Sequence, residues 1–215
     1  MVTKTDLRAR LTLKTGGNPQ FGSANRFTPT YYEPLRGPGS ALQRTNGILF
    51  PYTPNISVAH AVEYSPYETV HSNYQQHAYS KTRNPTLQIT ANFVSQTPDE
   101  AKYTVGMMHF LRVVTKMNFG RDDPDAGTPP PVLNFSAYGD FNFNNVPVLV
   151  GSFNFIYEDG VDYVEVDATG SNQPVQIPVM MTVAIDLLPQ YSPTRQNNFN
   201  LRDFASGNGY RAGFI

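Results

Sequence analysis

The sequence predicts a mainly β protein, in which an antiparallel sheet wraps into a sandwich or barrel and is covered by one α-helix. Several short segments alternate apolar and polar residues, a pattern typical of half-buried strands. Turns rich in Gly, Asn and Asp separate these segments. A single segment has the period of an amphipathic helix. The length of 215 residues suits one domain with extended arms.

Composition excludes several functional classes. With 16 Lys and Arg against 17 Asp and Glu, the chain lacks the excess of positive charge that a nucleic-acid-binding surface needs. The absence of cysteine excludes a disulfide scaffold, a thiolate nucleophile and a Cys-ligated metal. Neither a signal peptide nor an apolar run of roughly 20 residues is found, so we expect a soluble protein.

The surface is predicted to be covered by other chains. Charged residues make up 15% of the chain and aromatic residues 13%, whereas roughly 25% of residues are charged in typical soluble proteins. A weakly charged, aromatic chain is expected to bury part of its surface against neighbours.

The first 47 residues divide into a strand and an irregular segment. Residues 7–13 alternate and predict an N-terminal strand within residues 1–14. Residues 15–47 contain repeated Gly and Pro, which predicts an extended arm or insertion loop. A flexible insertion is the alternative, but aromatic side chains are costly to leave in water. We therefore favour an arm that orders on a partner, with four candidate subunit-interface residues: Phe21, Phe27, Tyr31 and Tyr32.

Residues 48–189 are predicted to form the β domain. Most of its strands follow from period-two alternation or from apolar runs between turn signals. Residues 64–81 alternate only weakly and predict a twisted edge strand or an extended connection. The predicted strands lie at residues 56–62, 87–93, 132–138, 146–157, 161–166 and 175–188.

One helix is predicted at about residues 98–116. Thr97 as N-cap and Glu100 three residues later form a capping box, with Pro at the first helical position. Asn118 and Gly120 supply the stop signal. One face carries the residues expected to pack on the sheet, which are Tyr103, Met107, Phe110, Val114 and Met117.

The final segment, residues 190–215, combines Arg with aromatic residues and has no clear period. These residue types are enriched at interface hot spots. We predict a C-terminal arm that contacts other subunits, and the alternative is a tail folded back on its own domain. The candidate interface residues are Arg195, Phe199, Arg202, Phe204 and Phe214.

No metal or cofactor is expected. The acidic run at 122–125 is interrupted by Pro124 and lacks the ligand spacing of a calcium loop, so a solvated turn is preferred. The four histidines form no HxH or HxxxH pair on one predicted element. Gly-rich pieces do not join a strand to a helix as phosphate loops do.

No catalytic site is expected either. Glu165 and Asp167 share one strand face and Asp186 lies on another strand, so a glycan hydrolase with paired carboxylates is conceivable. The sequence gives no reason to bring Asp186 near the other two. No Ser lies in a GxSxG elbow.

The predicted strand and helix also carry a family resemblance. The block Asn84-Pro-Thr-Leu-Gln-Ile-Thr-Ala-Asn-Phe93, followed by Thr97-Pro-Asp-Glu-Ala-Lys-Tyr103 and Phe110-Leu-Arg112, resembles the strand-then-helix signature of phage tail-tube proteins. Segments 127–136, 146–148, 153–157 and 162–166 resemble the baseplate tail-tube cap, or tail tube initiator, proteins of contractile-tailed bacteriophages. The resemblance covers roughly residues 47–193, although proteins of this kind are often longer.

The resemblance implies a structural virion protein of the baseplate-proximal tail tube. Six copies would form a ring that joins their strands into one inner barrel with the helix outside, initiates tube assembly and lines the DNA channel. Ring closure would also pair the open strand edges. The implied partners are further copies in a homohexamer, the tail tube protein, the baseplate hub or adjacent tube-layer proteins, the sheath and the tape measure protein. DNA would pass only transiently, no membrane is involved, and assembly would occur in the host cytoplasm. A different class, a carbohydrate- or receptor-binding β-sandwich with Tyr and Asn in a groove, is the alternative.

Overall fold

A computed structural model describes residues 6–14, 34–68, 70–120, 126–168 and 172–215. Eleven strands and four α-helices lie in these ranges, together with a 3-10 helix at Gly37–Thr45. The strands are β1 (Arg10–Leu13), β2 (Gly47–Leu49), β3 (Asn55–Ala59), β4 (Val62–Tyr67), β5 (Gln76–Thr82), β6 (Thr86–Val94), β7 (Leu133–Ala137), β8 (Phe143–Tyr157), β9 (Tyr163–Val166), β10 (Val175–Pro178) and β11 (Met180–Pro189). The helices are α1 (Pro98–Val114), α2 (Pro193–Asn197), α3 (Leu201–Ala205) and α4 (Asn208–Arg211).

Seven strands form one sheet in the order β2-β1-β7-β8-β11-β6-β3, with every neighbouring pair antiparallel. Two further ribbons form separate two-stranded sheets, β9 with β10 and β4 with β5, and the first of them packs on α1 and buries Val166 and Ile177. The prediction of a mainly β, antiparallel protein is confirmed. The expectation of a single helix is wrong, because α2, α3 and α4 are also present; at four or five residues each, they are too short to show a helical period.

Alternation along the central strands places the core on one face of the sheet. In β6 every second residue from Leu87 to Phe93 is buried, and in β11 every second residue from Met181 to Leu187. The register aligns Leu87 with Leu187 and so keeps both sets on the same face. This face packs beneath α1, and the opposite face is left to water.

The start of α1 has the capping box that the sequence predicts. Thr97 Oγ1 accepts the Glu100 N–H at 3.3 Å, and the Glu100 carboxylate accepts the N–H groups of Gln96 at 2.8 Å and of Thr97 at 3.1 Å. These donors hold the pKa of Glu100 below its usual value. The cap is therefore at full strength at neutral pH and weakens as the pH falls through that lowered pKa.

Most of the predicted stripe of α1 packs on the sheet, but its last member does not. Met107, Phe110 and Val114 are fully buried, and the largely buried Tyr103 hydroxyl bonds both the N–H and the carbonyl of Leu49. Met117 is 47% exposed. The helix ends at Val114 rather than near residue 116. Met117 therefore lies outside the helix, and the helical period no longer places its side chain on the core-facing side.

The second half of the predicted arm is folded on α1. Gly37–Thr45 forms the 3-10 helix, and Leu42 from it is fully buried. Gly106 of α1 allows the close approach, since a Cβ there would meet the Pro38 carbonyl oxygen at 3.0 Å. An extended arm is therefore the wrong description of residues 34–46. Residues 15–33 lie outside the described residues.

A buried hydrogen bond connects the end of β6 to α1. Ser95 and Thr104 are both almost fully buried, and their hydroxyl oxygens lie 2.8 Å apart. The Ser95 N–H also donates to the Val179 carbonyl at 2.7 Å. Since buried polar groups are costly unless paired, this bond fixes how the strand enters the helix.

Among the described residues, no helix has the length and apolar character needed to cross a lipid bilayer.

We expect Thr97→Ala to lower the free energy of unfolding by about 1 kcal/mol because the first turn of α1 loses its cap. For a domain of this size that corresponds to a fall in Tm of about 2–4 °C in a thermal melt. Thr53→Ala, at an exposed position outside any helix, is the control. Equal melting temperatures for the two variants would contradict the cap's role.

We expect Thr104→Val to cost about 1–3 kcal/mol, because it leaves the buried Ser95 hydroxyl without its partner. Ser95→Ala should cost less in the Thr104→Val background than in the wild-type chain. In that background the Ser95 hydroxyl has already lost its partner, so removing it breaks no further hydrogen bond. Urea unfolding of all four proteins measures this coupling. Strictly additive costs would argue against it.

Candidate assembly surfaces

The face of the sheet opposite α1 is solvated and mostly polar across four strands, with Ile156 and Leu188 as exposed large apolar side chains. Its side chains form cross-strand rows: Ser57 of β3, Gln88 of β6, Asp186 of β11 and Ser152 of β8 lie opposite one another in turn. A neighbouring row contains Asn55, Thr90, Ala184 and Asn154 in the same strand order. Side chains from β3, β6 and β8 in these rows are exposed, and those from β11 are half-buried. We call this surface the polar sheet face.

The polar sheet face carries almost no charge. Its four strands contain no Lys or Arg and one carboxylate, Asp186, which accepts a hydrogen bond from the Ser152 hydroxyl. Over a wider range, residues 122–194 contain ten Asp and Glu and no Lys or Arg. Without cations the face has no means of neutralising phosphates, so it is a poor surface for holding nucleic acid.

The carboxylates of the hydrolase alternative lie on different sheets. Asp186 belongs to the main sheet, whereas Glu165 lies in the β9–β10 ribbon opposite Gln176. Across the ranges that the structure describes, no three His, Cys, Asp or Glu side chains are grouped to hold a metal ion. The acidic run at 122–125 lies outside those ranges.

The β4–β5 hairpin is the most solvated element of the protein. All its strand residues are exposed except the half-buried Glu63, which pairs with Lys81 at 3.5 Å and Arg83 at 3.2 Å near the root. Apolar and aromatic side chains nevertheless line it, namely Val62, Tyr64, Tyr67, Val70, Tyr74 and Tyr79. An isolated two-stranded hairpin is at best marginally stable in water. The hairpin is therefore a candidate docking surface.

Sequence interpretation assigned residues 64–81 to a twisted edge strand or connection and missed this surface. The structure has a free hairpin with a turn between Tyr67 and Gln76. The available signal was a series of tyrosines without regular alternation, which indicates strands with no buried face. Tyr64 and Tyr79 meet edge to face across the hairpin, with ring centroids 6.2 Å apart.

Residues 190–215, which we call the C-terminal module, fold back on the domain. The Ser192 and Asn200 side chains cap α2 and α3. Tyr191 and Phe214 stack at 4.9 Å, and the Tyr191 hydroxyl accepts the Ile215 N–H at 3.3 Å. An extended C-terminal arm is therefore wrong, because these aromatic contacts close the segment on itself.

Arg195 lies at the centre of the module. Its guanidinium carbon is 5.3 Å from the ring centroid of Phe214 and 6.0 Å from that of Tyr191, distances typical of cation–π contacts. Burial, together with the nearby charge of Arg195, holds the pKa of Lys14 below its ordinary value. Burial likewise lowers the pKa of Arg195 and raises that of Tyr191. The module thus contains a half-buried cation held by aromatic rings.

The structure brings several predicted interface residues into one cluster. Phe199 contacts Phe204 and Phe214, with ring centroids 5.8 and 5.3 Å apart, and Phe204 contacts Tyr210 at 4.8 Å. Phe199 and Arg202 remain exposed, and Phe204 and Phe214 are half-buried. A role for them in binding other subunits stays a prediction. Phe21, Phe27, Tyr31 and Tyr32 lie outside the described residues.

A groove of about 870 Å³ separates the root of the β4–β5 hairpin from the C-terminal module. We call it the root groove. Aromatic and apolar side chains predominate in its lining, and its polar groups include the amides of Asn84, Asn142 and Gln196. Its two sides are represented by Tyr79 and Arg83 from the hairpin root and by Phe141, Phe199, Leu201 and Tyr210 from the other side.

These surfaces define an antiparallel β protein with one solvated polar sheet face, a free hairpin and an aromatic groove. No protein-family model matches the chain, and no curated protein matches it significantly.

We expect Gly213→Ala to loosen the C-terminal module. Gly213 has φ +74°, and a Cβ there would lie 2.8 Å from the carbonyl oxygens of Asn144 and Asn145. Gly160→Ala is the matched control, because φ is +69° but nothing lies within 4 Å of the new Cβ. Both changes incur the cost of a left-handed backbone, about 1 kcal/mol, and Gly213→Ala adds the collision.

Limited trypsin digestion measures this difference through cleavage after Arg195, Arg202 and Arg211. Cleavage at these sites should accelerate in Gly213→Ala and stay near the wild-type rate in Gly160→Ala. Equal rates in both variants would show that the module does not depend on the close contact at Gly213.

Proposed function

We propose that this protein is a structural subunit of the baseplate-proximal tail tube of a contractile-tailed bacteriophage. In this proposal six copies form a ring that initiates tube assembly and lines the DNA channel. The observation that carries the proposal is the polar sheet face, which is four strands wide, solvated and free of Lys and Arg. The sequence resemblance to tail tube initiator proteins supplies the biological setting.

The chemistry of that face suits a channel through which DNA must pass. Lys or Arg lining such a channel would bind phosphates and retard the duplex. Ser, Thr, Asn and Gln keep the wall hydrated, and the single carboxylate, Asp186, repels phosphate rather than attracting it. The core-facing side of the same strands is apolar. The polar side chains are therefore confined to one face of the sheet and do not simply reflect the overall composition of the chain.

The sheet edges favour ring formation. β2 and β3 are the terminal strands of the seven-stranded sheet, and a terminal strand presents unpaired backbone groups on its outer side. Pairing the β3 edge of one copy with an edge of the next would extend the polar sheet face from copy to copy. Closure of such a repeating contact gives a ring.

Two experiments test the proposal. Negative-stain microscopy and native mass spectrometry of the purified protein, alone and with the tail tube protein, should reveal rings and seeded tubes. A protein that stays monomeric and never seeds tubes would contradict the proposal. A low-resolution map of the intact virion would then locate the ring among the tube layers.

Thr90→Lys should convert the assembled ring into a DNA-binding ring. Thr90 lies on the polar sheet face opposite the uncharged Ala184 and Asn55, so each ring would gain one cation per copy at a single level of the channel. DNA affinity measured by fluorescence anisotropy should rise and should fall steeply with added salt. Thr53→Lys, at an exposed position outside the face, is the control. Equal DNA binding by both variants would mean that the polar sheet face does not line the channel.

A carbohydrate- or receptor-binding module is the second candidate, and the root groove favours it. Aromatic rings beside amides such as Asn84, Asn142 and Gln196 are suited to stacking on sugars and bonding their hydroxyls. Glycan-array binding by a monomer, abolished by Leu201→Asp at the groove, would support this candidate over the first.

A further inference from the structure

The tip of the β4–β5 hairpin and the root groove have matching chemistry on the same molecule. We propose that the hairpin tip of one copy docks into the root groove of a second copy of this chain. This inference rests on the proposed function, because it specifies how copies of an assembling subunit contact one another.

A copy cannot fill its own groove with its own tip. The groove is bounded by residues at the root of the hairpin, including Tyr79 and Arg83. The tip lies beyond Tyr67 and Gln76, at the other end of the paired strands. At about 3.3 Å per residue, the six residues of β4 place the tip about 20 Å from the root. A hairpin tip that fills this groove therefore comes from another copy.

The tip is already ordered for docking. The Ser72 hydroxyl donates to the Tyr74 carbonyl at 2.9 Å and accepts the Tyr74 N–H at 3.3 Å, while Gln75 Nε2 donates to Glu68 at 3.3 Å. These bonds hold the turn, and it presents Val70 and Tyr74, which are 86% and 83% exposed. A turn that is held by such bonds and bears exposed apolar side chains loses less conformational entropy on binding than an unstructured segment does.

The groove offers the complementary surface. Leu201 and Phe141 in its lining are exposed large apolar side chains, and further aromatic rings line the groove as well. Inserting Val70 and Tyr74 would remove apolar surface from water on both sides, which is the main driving force for such a contact.

Charge favours this occupant as well. The groove lining includes Arg83 and no acidic side chain. Beside it, Arg83 and Lys81 share the single carboxylate of Glu63, so the hairpin root has a net positive charge. The described residues of the tip, 68 and 70–75, include Glu68 and no Lys or Arg. A tip with a negative group entering a groove with a positive one is electrostatically matched, whereas two grooves or two tips facing each other are not.

The contact is heterologous, since a tip meets a groove rather than another tip. Each copy then uses its tip on one neighbour and offers its groove to another, so the contact propagates from copy to copy. Repetition of this kind generates closed rings or stacked arrays, depending on the angle between neighbours.

Disulfide cross-linking tests the contact directly because the natural chain has no cysteine. Tyr74→Cys and Leu201→Cys are prepared as separate single variants, mixed under assembly conditions and oxidised. The expected product is the mixed dimer of the two variants. Tyr52→Cys, exposed but outside both surfaces, replaces Leu201→Cys in the control mixture and should give at least tenfold less mixed dimer.

Val70→Asp combined with Tyr74→Ser supplies a second readout without cysteine. Both positions are highly exposed, so the thermal unfolding curve should match that of the wild type. The protein concentration needed for half-maximal assembly should rise roughly tenfold or more, as expected for the loss of an aromatic anchor.

The outcomes separate this inference from the proposed function. Rings or tubes that form without the mixed disulfide, or that give chiefly dimers of Tyr74→Cys with itself, would overturn the docking mode and leave the tail-tube function standing. Absence of any assembly at all would overturn both. Normal assembly by the Val70→Asp, Tyr74→Ser variant would likewise reject the contact.

Discussion

Burial of one face of the sheet beneath α1 is the constraint on which the rest of the structure depends. Leu87 to Phe93 in β6 and Met181 to Leu187 in β11 turn the same side of the sheet toward the helix. Because side chains alternate along a strand, this arrangement determines what lies on the other side. The Ser95–Thr104 bond and the Tyr103 hydroxyl then fix where the helix sits. A slip of one residue in register would exchange the two faces and destroy the core.

The polar sheet face is thus a direct consequence of the same alternation. A single layer of helix covers one side of the sheet, and in the described part of the chain no second layer covers the other. A wide sheet face free of Lys and Arg is unusual for a surface that only has to remain soluble, since charge is the usual means of solubility. Its composition is better explained by a requirement to stay wet without attracting polyanions. This reasoning connects the fold to the proposed DNA channel.

The sequence predicted those parts of the structure that have a regular period or a side-chain cap. Alternation identified β6, and the Thr97–Glu100 pair identified the start of α1. The helix end was set two residues too late, because the final turn is closed by the Thr115 hydroxyl on the Leu111 carbonyl rather than by a glycine signal. The short helices of the C-terminal module and the free hairpin were missed. The module is held by contacts between aromatic rings, and the hairpin is a strand pair with no buried face. Residue spacing predicts neither arrangement.

Two groups of aromatic residues lie outside the core, one packed in the C-terminal module and one exposed on the β4–β5 hairpin. In the C-terminal module the rings close on one another around Arg195, so that a segment without a long helix or strand still packs. In the β4–β5 hairpin Tyr67 and Tyr74 face water, although the hairpin gains nothing from them in the isolated chain. Exposed aromatic rings are unfavourable in water, and burial against a partner would remove that unfavourable contact. A surface of matching character is the root groove, which the module and the hairpin root form together. The fold therefore supplies both halves of a contact that one copy cannot complete by itself.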